Sequence, residues 1–173
     1  MINKGIILAG GMGTRMSPLT KAVNKQLLPL YDKPLIYYPL SVLMLAGIKK
    51  ILIIVNKGQL SQFRKILPEK NNLGIFLEYK EQIRPGGLPE AFTIGEKFIN
   101  KDSVSLILGD NFFYGQSLTK ILRKNMNLNS GAKIFVHPVK SPHLYGVATL
   151  DKNKKIVKLE EKPKKTRSNY AVT

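Results

Sequence analysis

One run of residues limits the folds open to this chain more than any other: Ile51-Leu52-Ile53-Ile54-Val55, apolar and largely β-branched without a polar break. A strand with one wet face alternates apolar and polar side chains. A run with no polar position marks a strand covered on both faces, as parallel sheets require. Ile6 to Ala9, Ile75 to Tyr79 and Val104 to Leu108 read as further strands of the same layer. Between them lie helical stretches at Gln59 to Leu67, stopped by Pro68, at Leu88 to Phe98, and at Gln116 to Asn125. Another helix is expected over Leu35 to Ala46, with Asp32 as its cap, Pro34 in its first turn and Gly47 at its end. Pro39 either kinks that helix or marks its true first turn. Strands alternating with helices at this spacing predict a three-layer α/β/α sandwich, Rossmann-like, with a mostly parallel sheet. Strands at Ala132 to Val139, Leu144 to Leu150 and Ile156 to Glu161, the last two joined by a turn at Asp151-Lys152-Asn153, follow the crossovers and need not share that layer.

At 173 residues the chain suits one domain spanning 1–173, and 43% apolar residues place it among globular proteins. No apolar run is long enough to cross a bilayer and no secretory leader stands at the start, so a cytoplasmic protein with no membrane partner is expected. The absence of cysteine excludes Cys-ligated zinc and a thiol nucleophile. The net charge of +17 raises nucleic acid as a partner. Against it, the densest basic segment, Lys152 to Arg167, contains Glu160 and Glu161 and no interleaved aromatics on which bases could stack. A small polyanionic substrate fits the charge, and nucleic acid is not expected. His137 and His143 lack a paired ligand spacing and read as structural or exposed.

The candidate chemistry lies where the predicted strands end. Ile6 to Ala9 opens into Gly10-Gly11-Met12-Gly13-Thr14-Arg15, three glycines within four positions, then a hydroxyl and a guanidinium. Glycines let backbone N–H groups approach a phosphate, and an arginine clamps its oxygens; the same residues also suit a tight turn with a surface arginine. Neither a Walker A lysine nor the third glycine of a dinucleotide fingerprint is present. Lys25 and Gln26 can present a cation and an amide over that loop, or line a solvated turn. Gly86-Gly87 precedes the predicted helix at Leu88 and can expose backbone donors. Asp110 follows the strand Val104 to Leu108, where open α/β sheets bind ligands, so it is a candidate metal ligand or else a cap for the helix 116–125.

Taken in order, these pieces resemble the sugar-nucleotide nucleotidyltransferases, specifically the glucose-1-phosphate thymidylyltransferases of dTDP-rhamnose synthesis. The resemblance rests on Leu8 to Arg15, Lys25 to Pro34, Gln82 with Pro85 to Leu88, Gly109-Asp110-Asn111, Tyr145-Gly146-Val147, Glu161-Lys162-Pro163 and Asn169 to Thr173. It implies transfer of thymidylyl from dTTP to glucose 1-phosphate, giving dTDP-glucose and pyrophosphate with Mg2+ as cofactor. It further implies that Leu8, Ala9, Gly10, Gly11, Gly13, Thr14, Arg15, Lys25, Gln26, Gln82, Pro85, Gly87 and Asp110 hold the nucleotide. Arg15, Lys25, Asp110 and Lys162 would be catalytic, with Asp110 the metal ligand. Asn111, Tyr145, Gly146, Glu161, Lys162 and Val172 would hold the sugar phosphate. Asn24 departs from the usual small hydroxyl residue, and Pro89 from the usual alanine. The family extends beyond position 173, which implies a chain lacking its C-terminal part, a second metal carboxylate and much of the homo-oligomer contact surface. A uridylyltransferase using UTP, or a nucleotide-binding remnant without turnover, are the alternatives.

Overall fold

The computed structural model describes every residue except Met12, Asn129 and Thr173, and Arg15 by its backbone only. The chain divides into two compact units, Met1–Asn129 and Ser130–Thr173.

The first unit is built on a four-stranded sheet of β1 (Lys4–Ala9), β4 (Lys50–Asn56), β5 (Phe76–Gln82) and β6 (Val104–Leu108), in the order β5-β4-β1-β6. Every pairing is parallel, and Ile7 stands level with Ile53 and Ile107. Ile6, Ile7 and the whole of Ile51 to Val55 are fully buried, which is the consequence of having no polar position in those runs. On one face Ile6, Leu8, Leu52 and Ile54 pack with Ala91, Ile94, Phe98 and Ile99. The alternation of a strand turns Gly5 and Ile7 to the other face, where a side chain on Gly5 would run into Leu43. That face is covered by α2 (Tyr37–Leu45), which also touches β6 and α6 (Leu118–Lys124). Two layers of helix around a parallel sheet match the expected sandwich within this unit. Lys4 anchors the start of β1, donating to the carbonyls of Phe98 and Ile99 and pairing with Asp102 at 2.6 Å.

Four local expectations need correcting. Lys33–Pro34 is a short strand, β3, paired antiparallel with β2 (Pro29–Leu30), so Asp32 caps no helix. The helix begins at Tyr37 instead of Leu35, and Pro39 marks its first turn, one of the two places expected for it, where its missing N–H removes no intrahelical bond. The stretch Leu88 to Phe98 is two helices, α4 (Leu88–Ile94) and α5 (Glu96–Ile99), meeting at Gly95. Ala132 to Val139 contributes only β7 (Val136–Pro138), and Pro142–Leu144 forms a 3-10 turn ahead of β8 (Gly146–Leu150) instead of extending it.

The second unit is an antiparallel sheet in the order β7-β10-β8-β9, with β9 at Ile156–Glu161 and β10 at Tyr170–Val172. The β8–β9 turn is held by Asp151, whose Oδ1 accepts from the N–H groups of Asn153 and Lys155 at 2.8 Å each. Among the described residues, no helix is long and apolar enough to cross a membrane.

Candidate functional site

In sequence order the first-unit strands run 3-2-1-4 across the sheet, so the order reverses between β1 and β6. Ligands of open α/β sheets bind outside the carboxyl ends of the strands at such a reversal. There β1 releases the glycine loop and β6 releases Gly109-Asp110, and the two ends touch: Gly109 N–H donates to the Leu8 carbonyl at 2.8 Å. A Cβ on Gly109 would press against Ala9 and Gln26, so only glycine lets the two strand ends close this far. Beyond them lies a crevice of ≈ 250 Å³ lined by Gly10, Gly11, Gly13, Thr14, Met16, Lys25, Gln26 and Asp110. These are residues expected from the sequence, with Met16 added.

Lys25 Nζ meets Asp110 Oδ2 at 2.6 Å across the crevice, with both side chains about one-third exposed (31% and 32%). The turn Lys25–Leu27 that delivers Lys25 is capped by Asn24, whose Oδ1 accepts from Gln26 N–H at 2.8 Å. Ser117, not Asp110, stands at the N-cap of α6, so capping does not account for Asp110. Asn111 follows it, with its N–H on the Leu108 carbonyl.

Carboxamides lace the loop backbone one peptide at a time. Asn24 Nδ2 donates to the Ala9 carbonyl at 3.3 Å and to Gln59 Oε1 at 2.6 Å. Gln26 Nε2 donates to the Gly10 carbonyl at 3.4 Å, while its buried Oε1 has no hydrogen-bond partner among the described residues. Asn56 accepts from Gly11 N–H at 3.1 Å and donates to the Gly11 carbonyl at 2.9 Å. Gln82 Nε2 donates to Asn56 Oδ1 at 3.0 Å. Gly13, with φ +58, has its carbonyl held by Thr20 Oγ1 at 2.8 Å. The Gly11 amide donor is therefore engaged by a side chain, and Leu8 gives its side chain to the core. Sequence reading passed over Asn56 and treated Asn24 only as a departure. The available signal was position, since Asn56 ends a buried strand much as Asp110 follows one.

Pro85 and Gly87 lie exposed after β5, and Gly87 takes φ +85 as the cap residue of α4. Gly86 N–H beside it donates to Glu90 Oε2 at 2.6 Å. The side chain of Arg15 lies outside the described residues. Within the second unit Gly146 is paired in register with Glu161, and a Cβ on Gly146 would lie 3.2 Å from Glu161 Oε2 and 3.9 Å from Val172. Lys162 N–H donates to the Tyr145 carbonyl at 3.0 Å, and its Nζ lies 3.6 Å from Glu161. The second-unit residues expected to hold a sugar phosphate are thus neighbours of one another.

A parallel sheet carrying a glycine loop, a lysine and an aspartate at its strand reversal defines an open α/β protein with its candidate site at the carboxyl ends of the strands. The chain belongs to the nucleotidyl transferase family, whose model matches residues 4–173. It is 51% identical to the glucose-1-phosphate thymidylyltransferase of Neisseria meningitidis over 98% of this chain, and 47% identical to that of Mycobacterium tuberculosis. It spans 59% and 58%, respectively, of the lengths of those relatives. A Bacillus anthracis protein assigned as a glucose-1-phosphate thymidylyltransferase, solved in complex with a sucrose, superposes with a TM-score of 0.90 at 38% identity, over 98% of this chain and 68% of that one. A UDP-glucose pyrophosphorylase complexed with UDP-glucose matches at TM-score 0.77 and 26% identity, over 99% of this chain and 74% of that one.

Proposed function

We propose that this chain carries the nucleotide site of a glucose-1-phosphate thymidylyltransferase, which joins dTTP to glucose 1-phosphate and releases pyrophosphate. The observation that carries the reading is the Lys25–Asp110 pair facing the glycine loop at the strand reversal, combined with 51% identity to a thymidylyltransferase. In this reaction an oxygen of the sugar phosphate attacks the α-phosphorus of the nucleotide, a new P–O bond forms, and the bond to pyrophosphate breaks. No protein nucleophile is needed, so rate comes from alignment and charge neutralisation.

The Lys25 ammonium would rest against the attacked phosphate, and Thr14 with the loop glycines would shape the bed of the phosphate tail. Arg15 would balance charge on the departing pyrophosphate. Gln26 would offer its unpartnered Oε1 to the nucleoside, and Gln82, Pro85 and Gly87 would border the base. Glu161 and Lys162 of the second unit would take the sugar hydroxyls and the sugar's phosphate, together with Tyr145, Gly146 and Val172. Among the described residues no group of three acidic or histidine side chains could cage a metal. Mg2+ suits such a setting because it binds through one or two carboxylates together with substrate phosphates, so Asp110 fits as its protein ligand. When bound, that ion would neutralise phosphate charge in the transition state. Soluble substrates of this kind agree with a cytoplasmic enzyme, and the homo-oligomer implied for complete family members belongs to the same reading.

The test is dTTP binding by the purified chain with Mg2+, followed by pyrophosphate release on adding glucose 1-phosphate, against a Lys25→Ala control. Binding of dTTP that weakens about tenfold or more in the control is the expected result, one charged contact being lost. Absence of dTTP binding by the native chain would sink the reading. The likeness to UDP-glucose pyrophosphorylase favours UTP as second choice, and a UTP affinity above that for dTTP would replace the first.

A further inference from the structure

Asn56 is the last residue of β4, and its carboxamide serves three bonds at once. Oδ1 accepts from Gly11 N–H at 3.1 Å and from Gln82 Nε2 at 3.0 Å, while Nδ2 donates to the Gly11 carbonyl at 2.9 Å. A peptide N–H only donates and a peptide carbonyl only accepts, so Gly11 dictates which end of the Asn56 amide faces which way. The oxygen of Asn56 is thereby turned toward Gln82, and an oxygen admits only a donor. Gln82 must meet it with Nε2, which commits Gln82 Oε1 to the opposite prong of its amide. Packing confines the amide to this place, Gln82 being 4% exposed and its Nε2 lying where a Cβ on Gly10 would stand, while the hydrogen bond to Asn56 sets which prong faces which way. Two backbone atoms of the loop therefore fix the hydrogen-bonding sense of a glutamine two strands away, through one intermediate side chain.

We propose that Asn56 is a positioning residue which, by its two-point hold on Gly11, orients Gln82 so that its carbonyl selects a base with an N–H donor at that contact. This rests on the reading of the crevice as a nucleotide site with Gln82 beside the base. Thymine and uracil offer an N3–H donor; cytosine offers a lone pair at N3. A carbonyl fixed toward that position rewards the first two and opposes the third. The same hold sets the shape of the phosphate loop, so Asn56 contributes to general affinity as well as to choice of base.

Two variants separate those contributions. Asn56→Asp keeps an oxygen for Gly11 N–H and Gln82 Nε2, but sets a carboxylate oxygen against the Gly11 carbonyl and adds a negative charge that opposes both triphosphates alike. Asn56→Ala removes all three bonds and frees Gln82 to turn. The measurement is the dissociation constant of dTTP and of dCTP for the native chain and both variants by titration calorimetry. The native chain should prefer dTTP. The Asp variant should bind both nucleotides more weakly while keeping that preference within about twofold, and the Ala variant should lose at least about tenfold of it. If circular dichroism shows the Ala variant unfolded, Asn56→Ser, too short to reach Gln82, is held to the same expectation. A purely structural asparagine would weaken both nucleotides together and leave their ratio unchanged in every variant; that result overturns the proposal. So does equal loss of preference in the Asp and Ala variants, or equal binding of dTTP and dCTP by the native chain. No dTTP binding by the native chain overturns the nucleotide-site reading itself, and this inference with it.

Discussion

Lys25 and Asp110 illustrate how a half-buried charge pair changes meaning with what enters the crevice. At 2.6 Å they neutralise each other, and each is shielded enough for its charge to act on a ligand with little screening. A bare triphosphate would be attracted by Lys25 and repelled by Asp110. A triphosphate carrying Mg2+ reverses the second sign, because the carboxylate then faces a cation. Asp110→Asn should therefore strengthen dTTP binding about threefold or more in EDTA and weaken it by a similar factor in Mg2+, a crossover that calorimetry in the two buffers would reveal. A fall in both buffers would mean that Asp110 shapes the crevice without facing the metal. This residue was legible because an aspartate just beyond a buried strand stands out in a chain with only four of them. Asn56 was not, because its partners Gly11 and Gln82 come from other strand ends and no local pattern joins them.

Among elements, the strands of the parallel sheet were read with most accuracy because burial on both faces leaves an unambiguous pattern. Val104–Leu108 has the bounds the sequence suggests. The helix over 88–98 was misread for a reason visible at Gly95. Its N–H still bonds the Ala91 carbonyl at 3.0 Å, yet a Cβ there would lie 2.9 Å from that oxygen, 3.1 Å from Ile6 and 3.3 Å from Leu52. The glycine allows α4 and α5 to turn against the sheet at a contact too close for a side chain. In an ordinary helix interior, glycine to alanine gains roughly 1 kcal/mol. Here crowding against backbone and two buried strands should reverse the sign, so Gly95→Ala is expected to cost about 1–3 kcal/mol in denaturant unfolding. A more stable variant would show that the contact relaxes freely and that the break has another origin.

At the scale of the molecule, the expectation of one domain meets a chain of two units built on different principles. The parallel sheet of 1–129 is specified by long apolar runs, and its crevice residues all come from that unit. The antiparallel sheet of 130–173 has short strands, and β9 exposes Ile156, Val157 and Leu159 at 41%, 63% and 59%. β9 has the bounds the sequence suggests, whereas the expected strands at 132–139 and 144–150 shrink to Val136–Pro138 and Gly146–Leu150, short strands that carry little alternation. If this division of structure is also a division of labour, the two substrates are held by separable sets of residues. Glu161→Gln and Lys162→Met should then leave dTTP affinity within about twofold of the native value, while Lys25→Ala lowers it about tenfold or more. In a turnover assay on an active form of the protein, the same second-unit changes should raise the KM for glucose 1-phosphate and spare that for dTTP. Loss of dTTP binding on changing Lys162 would show that its charge reaches the nucleotide. Glucose 1-phosphate recognition would then have to be sought elsewhere in the fold.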